Sequence, residues 1–281
     1  MIQYIDTHTH LYEEAFAGEG ETDAAIMRAA GAGVTGLVFP DIDSKTRQRM
    51  FETAGKHEGT VFPCLGLHPT SVGADWKNEY ALMEEWTGKK IYAIGEIGMD
   101  CHWSRDFIRE QKEVLRMQLE LAHRLNLPVI IHSRESTELI FEVLGQCRHL
   151  DLRGVFHAFG GSPETFRRLQ KYGCWYVGIG GTVTYRNASV AETIRHIPAD
   201  RILLETDSPY LTPVPKRGTR NESSYIPYIA AKVAEQKGMD ICEVAEVTTA
   251  NAVSLFGLGK PDIKDRQRKA NDQTTKDRHD D

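Results

Sequence analysis

Histidines and carboxylates recur along this chain just past short apolar runs. His8 and His10 follow "YI" in "YIDTHTH". His68 stands in "GLHP", Glu96 in "GEIGMD", His132 in "IIHSRE", His157 in "VFHAFGGS" and Asp207 in "LLETDSP"; Asp41 follows another such run. Imidazoles and carboxylates without cysteine form a nitrogen–oxygen donor set. It favours Zn, Mn or Mg over softer metals and does not choose among them. Residues two apart on a strand share a side, so His8 and His10 would face one way and could chelate one ion, with Asp6 below them. Each residue also has a plainer reading. The H-x-H pair could be an accident, Glu96 a salt-bridged strand end, His132 and His157 satisfied core histidines, and Asp207 the cap of the turn at Ser208-Pro209. Gly95 and Gly98 let backbone or ligand approach Glu96 closely.

The elements that would position these residues are short and apolar on both faces, as suits a buried parallel sheet. Strands are expected at Ile2–Ile5, Val34–Phe39, Val61–Leu65, Ile91–Ile94, Leu127–Ile131, Gly154–Phe156, Trp175–Ile179 and Arg201–Leu204. Helical stripes lie between them, such as Leu115, Leu119 and Ala122, or Ile140, Val143, Leu144 and Cys147. This alternation predicts an α/β fold, a single-domain (β/α)8 TIM barrel over residues 1–258. An open doubly wound sheet is the runner-up, but the Gly-rich phosphate turn after its first strand is missing. In a barrel all the named polar residues fall on the rim at the strands' C-terminal ends, where active sites sit. His8, His10, Glu96, His132, His157 and Asp207 exceed the needs of one catalytic ion. Two ions bridged by Glu96, about 3.5–4 Å apart, fit better.

Composition bounds the rest. The 281 residues carry a net charge of −6, with 41% hydrophobic and 26% charged residues. That allows a sizeable core and argues against a global positive field for nucleic acid. Positive charge for a phosphate would have to be local or metal-borne. The five cysteines are odd in number and form no C-x-x-C pair, which favours a reducing, cytoplasmic setting. No signal peptide is read, and no run approaches the roughly 18 apolar residues of a membrane span. Residues 259–281 are charged, mixed in sign and nearly free of apolar residues, so a disordered tail is expected.

The segments "DTHTH", "GLHP", "GEIGMD", "HSRES", "HAFGGS" and "ETDSPYLTP…RGTRNE" resemble, in order, those of the TatD-type metal-dependent DNases of the amidohydrolase superfamily, over roughly residues 2–257. The resemblance implies a TIM barrel with a divalent metal pair and hydrolysis of DNA, often as a 3′-to-5′ exonuclease. It implies His8, His10, Glu96 and Asp207 as ligands of one metal, and Glu96, His132 and His157 as ligands of the other. His68 and Arg134 match positions near the substrate phosphate. The chain departs from the family pattern at "HAFGGS", where "HCFSGS" is frequent, at Ser223, where Pro is frequent, and at Thr137, where Ala is frequent. None of these is a presumed ligand; the change near Ser223 could alter the last rim loop and substrate choice.

The expected mechanism is attack of a metal-bound hydroxide on phosphorus, with Asp207 as ligand alone or also as proton acceptor. Arg134 offers a fork for phosphate oxygens, or a helix-start salt bridge with Glu138. His68 could donate to a phosphate oxygen or support a neighbour. Asp100 could orient a ligand. Lys216, Arg217 and Arg220 read as a solvated loop more than a DNA-steering cluster, and Trp103 and Tyr210 as packing more than base stacking. DNA is the expected partner, with a monomer favoured. Two rivals remain: an amidohydrolase acting on a small amide or ester, and a metal-binding barrel without turnover. Against the first, Lys89 and Lys90 precede strand 4, the wrong place for a bridging carbamylated lysine.

Overall fold

The computed structural model describes residues 2–259; the tail expected at residues 259–281 lies, but for its first residue, outside the described residues. Eight parallel strands alternate with helices: β1 (Tyr4–Asp6), α1 (Glu21–Gly31), β2 (Val34–Phe39), α2 (Ser44–Lys56), β3 (Val61–Pro63), α3 (Trp76–Glu84), β4 (Ile94–Asp100), α4 (Ile108–Leu125), β5 (Val129–Arg134), α5 (Thr137–Gln146), β6 (Arg153–Phe156), α6 (Pro163–Leu169), β7 (Cys174–Ile179), α7 (Ser189–Thr193) and β8 (Ile202–Leu204). Two further helices follow, α8 (Ile226–Lys237) and α9 (Ile241–Phe256).

The strands pair as β1-β2-β3 and β4-β5-β6-β7-β8. Isolated bridges join the two sets. Leu65 pairs with Ile94 at one seam and Thr9 with Ser208 at the other. The second seam is reinforced by Thr7 N–H donating to the Leu204 carbonyl at 3.0 Å. The sheet therefore closes, which rules out the open doubly wound alternative. No helix among the described residues is long and apolar enough to cross a membrane.

Strand residues that precede the polar positions in sequence fill part of the barrel. Ile5, Val38, Phe62, Ile130, Val155 and Leu203 form one apolar cluster with Leu255, Phe256 and Leu258 at the end of α9. These strand residues precede the polar ones in each strand, so α9 plugs the end opposite the rim. A capping box fixes the start of α9: Asp240 accepts from Cys242 N–H, and Glu243 accepts from Asp240 N–H.

Several strands differ in their bounds from expectation: β3 ends at Pro63 instead of Leu65, and β5 runs on to Arg134 instead of ending at Ile131, so His132 lies inside it. Two differences bear most on the site. β4 begins at Ile94 and runs to Asp100, where Ile91–Ile94 was expected, so Glu96 lies inside the strand. Gly95 and Gly98 look like turn residues, but they admit neighbours. A Cβ on Gly95 would sit 2.6 Å from Ile130 Cβ, and one on Gly98 2.1 Å from the His132 carbonyl oxygen. The expected close approach is thus made by β5. β1 ends at Asp6, so His8 and His10 lie past the strand, where the chain bends at Thr7 and His8. Thr9 N–H donates to the Val38 carbonyl and His10 N–H to the Ser208 carbonyl, and these bonds set their direction.

Phe256 is buried within the plug. Phe256→Ala should lower stability by about 3–5 kcal/mol, read from denaturant midpoints, while the far-ultraviolet dichroism of the native state is kept.

Candidate metal centre

Glu96 is the hub, buried at 2% exposure. Its Oε2 lies 3.0 Å from His8 Nε2 and 3.8 Å from His10 Nε2. Its Oε1 lies 2.8 Å from His132 Nδ1, 3.5 Å from His68 Nε2 and 3.6 Å from His157 Nε2. One carboxylate thus turns an oxygen toward each of two imidazole groups. Asp207 completes the rim. Its Oδ1 is 3.7 Å from both His8 and His10 Nε2, and its Oδ2 is 3.9 Å from His157 Nε2. The side chain therefore points into the cluster, while the turn it begins is closed by its carbonyl, which accepts from Tyr210 N–H at 2.7 Å. Asp207 holds a left-handed φ of +56°, unusual for a residue with a Cβ and found mostly where surrounding structure enforces it. Its N–H is pinned to the His8 carbonyl at 2.9 Å.

The hydrogen bonds at the far side of each ring decide which nitrogen lone pairs face the centre. The Tyr12 hydroxyl donates to the Pro40 carbonyl, so it accepts from His10 Nδ1–H at 3.0 Å. That leaves a bare lone pair on His10 Nε2. Asp100 Oδ2 accepts from His132 Nε2–H at 2.9 Å, turning Nδ1 inward. Glu205 Oε1 lies 3.0 Å from His157 Nδ1, a close contact outside hydrogen-bond alignment, and is itself fixed by Ala158 N–H. His68 differs. Thr70 N–H donates to its Nδ1 at 3.2 Å, so its proton sits on Nε2 and faces Glu96 as a donor.

Such a set fits a cation. His8 and His10 Nε2 approach to 3.1 Å. Burial, followed by the neighbouring imidazoles, holds both rings below the usual histidine pKa, His10 well below. As they stand, His8 Nε2–H donates to the bare His10 Nε2, and a cation between them would take both lone pairs. Potential ligand atoms converge in three groups: His8, Glu96 and His157; His8, His10 and Asp207; His68, Glu96 and His132. Burial disfavours the Glu96 charge, yet His8, His68, His157 and the His132 hydrogen bond hold its pKa well below the carboxylate range. Burial raises Asp207 to about 7 against the pull of His157. At His132 burial opposes the charge, but Asp100 and Glu96 outweigh it and lift the pKa to about 9.

Other expected residues divide. Arg134 is not bonded to Glu138, which is taken by Arg168 at 2.7 Å; its guanidinium instead lies 5.3 Å from the Trp103 ring centre. Asp41 is not in the cluster. It pairs with buried Arg47 at 2.7 Å, and its backbone clamps that of Gly95 and Glu96. Trp103 and Tyr210, expected to pack, are exposed. Tyr12 and Glu205 escaped sequence reasoning, since no spacing rule links either to its histidine. The remaining signal for Glu205 is a charged residue ending the apolar run "RILLE", and Gly178 leaves room for it: a Cβ there would sit 1.9 Å from Glu205 Oε2.

Barrel and donor set together define a metal-dependent hydrolase. The chain belongs to the TatD-related DNase family, whose model matches residues 5–257. It is 38% identical over 256 residues to YabD, an uncharacterized metal-dependent hydrolase of Bacillus subtilis strain 168, covering 90% of this chain and 99% of that protein. It is 31% identical over 262 residues to the 3′-5′ ssDNA/RNA exonuclease TatD of Escherichia fergusonii, covering 90% and 99%. The crystal structure of YjjV, a TatD homologue from Escherichia coli K12, matches with a TM-score of 0.82 at 29% identity, covering 91% of this chain and 98% of that one.

Tyr12→Phe should weaken divalent-metal affinity by about 10- to 100-fold without unfolding the protein, read by metal titration beside a melting curve. At pH 7 metal-free His132 holds a proton that a cation on Nδ1 must displace. Loading should therefore release protons, and affinity should rise with pH up to about 9. Calorimetry in two buffers of different ionisation enthalpy reads both.

Proposed function

We propose that the protein cleaves phosphodiester bonds in DNA, as a 3′-to-5′ exodeoxyribonuclease working with two divalent ions of Zn, Mn or Mg. The observation that carries this reading is the division of Glu96, one oxygen toward His8 and His10 and the other toward His132 and His157. In this reading His8, His10, Glu96 and Asp207 hold one ion, and Glu96, His132 and His157 the other. Bound there, the pair would neutralise phosphate charge and acidify a water. The name of the Escherichia fergusonii relative supports a nucleic-acid substrate and the direction of cleavage.

The protein's own groups take the remaining tasks. Asp207, partly open at the rim, is placed to accept the proton of the attacking water. His68 presents Nε2–H toward the centre and donates to a phosphate oxygen. Arg134 is exposed and without an acidic partner among the described residues, so its fork is free for a phosphate. Amide hydrolysis through a carbamylated lysine is disfavoured, because β4 and β5 carry no lysine and Glu96 holds the bridging position.

Purified protein should contain divalent metal, and chelation should abolish release of nucleotides from single-stranded DNA. Glu96→Ala should lower that activity at least about 100-fold with the fold retained. Metal analysis and a panel of single-stranded DNA, RNA and a simple amide, run on one preparation, check this. Chelator-insensitive cleavage, or turnover of the amide alone, would refute it.

A further inference from the structure

Trp103 is 71% exposed. Indoles are usually well buried, so one left open beside a catalytic cluster needs a reason. The loop that carries it is not loose. Asp100 Oδ1 accepts from His102 N–H at 2.9 Å and from Trp103 N–H at 3.2 Å. The other oxygen of the same carboxylate holds His132 at 2.9 Å. One side chain thus fixes the indole's backbone and an imidazole of the centre together. His102 meets the indole edge-on at 5.3 Å between centroids and is itself tied to Glu135 at 2.7 Å. The Arg134 guanidinium lies 5.3 Å from the indole ring centre.

We infer that Trp103, backed by Arg134, is a stacking platform for an unpaired base of the substrate, next to the phosphate that Arg134 holds. This rests on the nuclease reading and narrows it to strands whose terminal bases are free. An aromatic face and a cation in contact match the two parts of a nucleotide, a flat base and an anionic phosphate. Stacking on an aromatic side chain accepts any base, because every base has a π face. In a duplex those faces are covered by neighbouring pairs, so a paired end would first have to unstack. Tyr210 offers a second open ring on the Asp207 side, 54% exposed, with its hydroxyl bonded to Glu13. It would serve a neighbouring base.

Two measurements test this. In chelator-treated protein, where no turnover occurs, a short oligodeoxythymidine should quench tryptophan fluorescence. The same strand with abasic residues at its 3′ end should quench far less. Of the other indoles, Trp76 and Trp175 are buried and Trp86 is partly so, which makes Trp103 the open reporter. In metal-loaded protein, kcat/KM for the intact strand should exceed that for the abasic strand by roughly five- to 150-fold. Trp103→Ala should collapse this ratio toward one, and Trp103→Phe should restore most of it. Equal quenching by both strands, or a ratio unchanged in Trp103→Ala, would overturn the platform. Base-dependent quenching without any hydrolysis would uphold the platform and overturn the nuclease reading instead.

Discussion

A carboxylate shut inside a protein among imidazoles is held by its neighbours or not at all. Removing an ionised group from water costs several kcal/mol even after relaxation, and Glu96 is almost fully enclosed. The nearest compensation is His132, whose own charge is sustained by Asp100. The backbone adds a second constraint. Asp41 N–H donates to the Gly95 carbonyl and Glu96 N–H donates to the Asp41 carbonyl, so β4 is fastened where the carboxylate leaves it. Asp41 in turn is fixed by Arg47, an ion pair buried as deeply as the hub. The other half of the barrel is apolar, with α9 closing it by apolar contact.

The same burial imposes an order on the histidines. An imidazole has two nitrogens, and in a dry site each must be given a role. Tyr12 takes the outer proton of His10, which presents a lone pair inward; Asp100 takes the outer proton of His132, whose inner nitrogen donates to Glu96 until that proton is lost. Thr70 occupies the outer nitrogen of His68 as a donor, so His68 presents a proton inward. Rings of one chemical type, gathered on one rim, thereby divide by which nitrogen carries the proton, His10 offering a lone pair to the centre and His68 an N–H. Their sorting lies in the residues behind them.

That is why so much of the rim was legible and so little of its backing. A polar residue ending an apolar run is a one-dimensional signal, and it places His68, His132, His157 and Asp207 near strand ends from the sequence alone. The barrel followed from the alternation of runs and stripes. Tyr12 reads as an ordinary core aromatic, since its hydroxyl meets His10 only after the chain bends at the end of β1. β4 was misplaced because two glycines inside seven residues imitate a turn, whereas both are required by the closeness of β5. Asp41 shows the converse. It satisfies the strand-end rule, yet its charge is spent on Arg47, a partner six residues along that no rim pattern reveals.

Charge poses a last constraint. For a chain of net charge −6 to take an anionic strand, as proposed, its positive groups would have to act locally. Arg220, of the loop after β8, does not contribute: Glu21 neutralises it, and it lies over Phe16. Arg217 lies over Tyr185 at 4.1 Å, and Lys216 lies near Tyr225 and Tyr228. Neither has an acidic partner among the described residues, and the same holds for Arg134 over Trp103. Aromatic faces hold these cations without neutralising them, because a ring quadrupole carries no net charge. Carboxylates in the same places would anchor the cations as firmly and cancel their attraction for phosphate. The field they leave reaches about one Debye length, roughly 8 Å at physiological salt. It is short enough to act at the rim without being felt across an otherwise acidic surface.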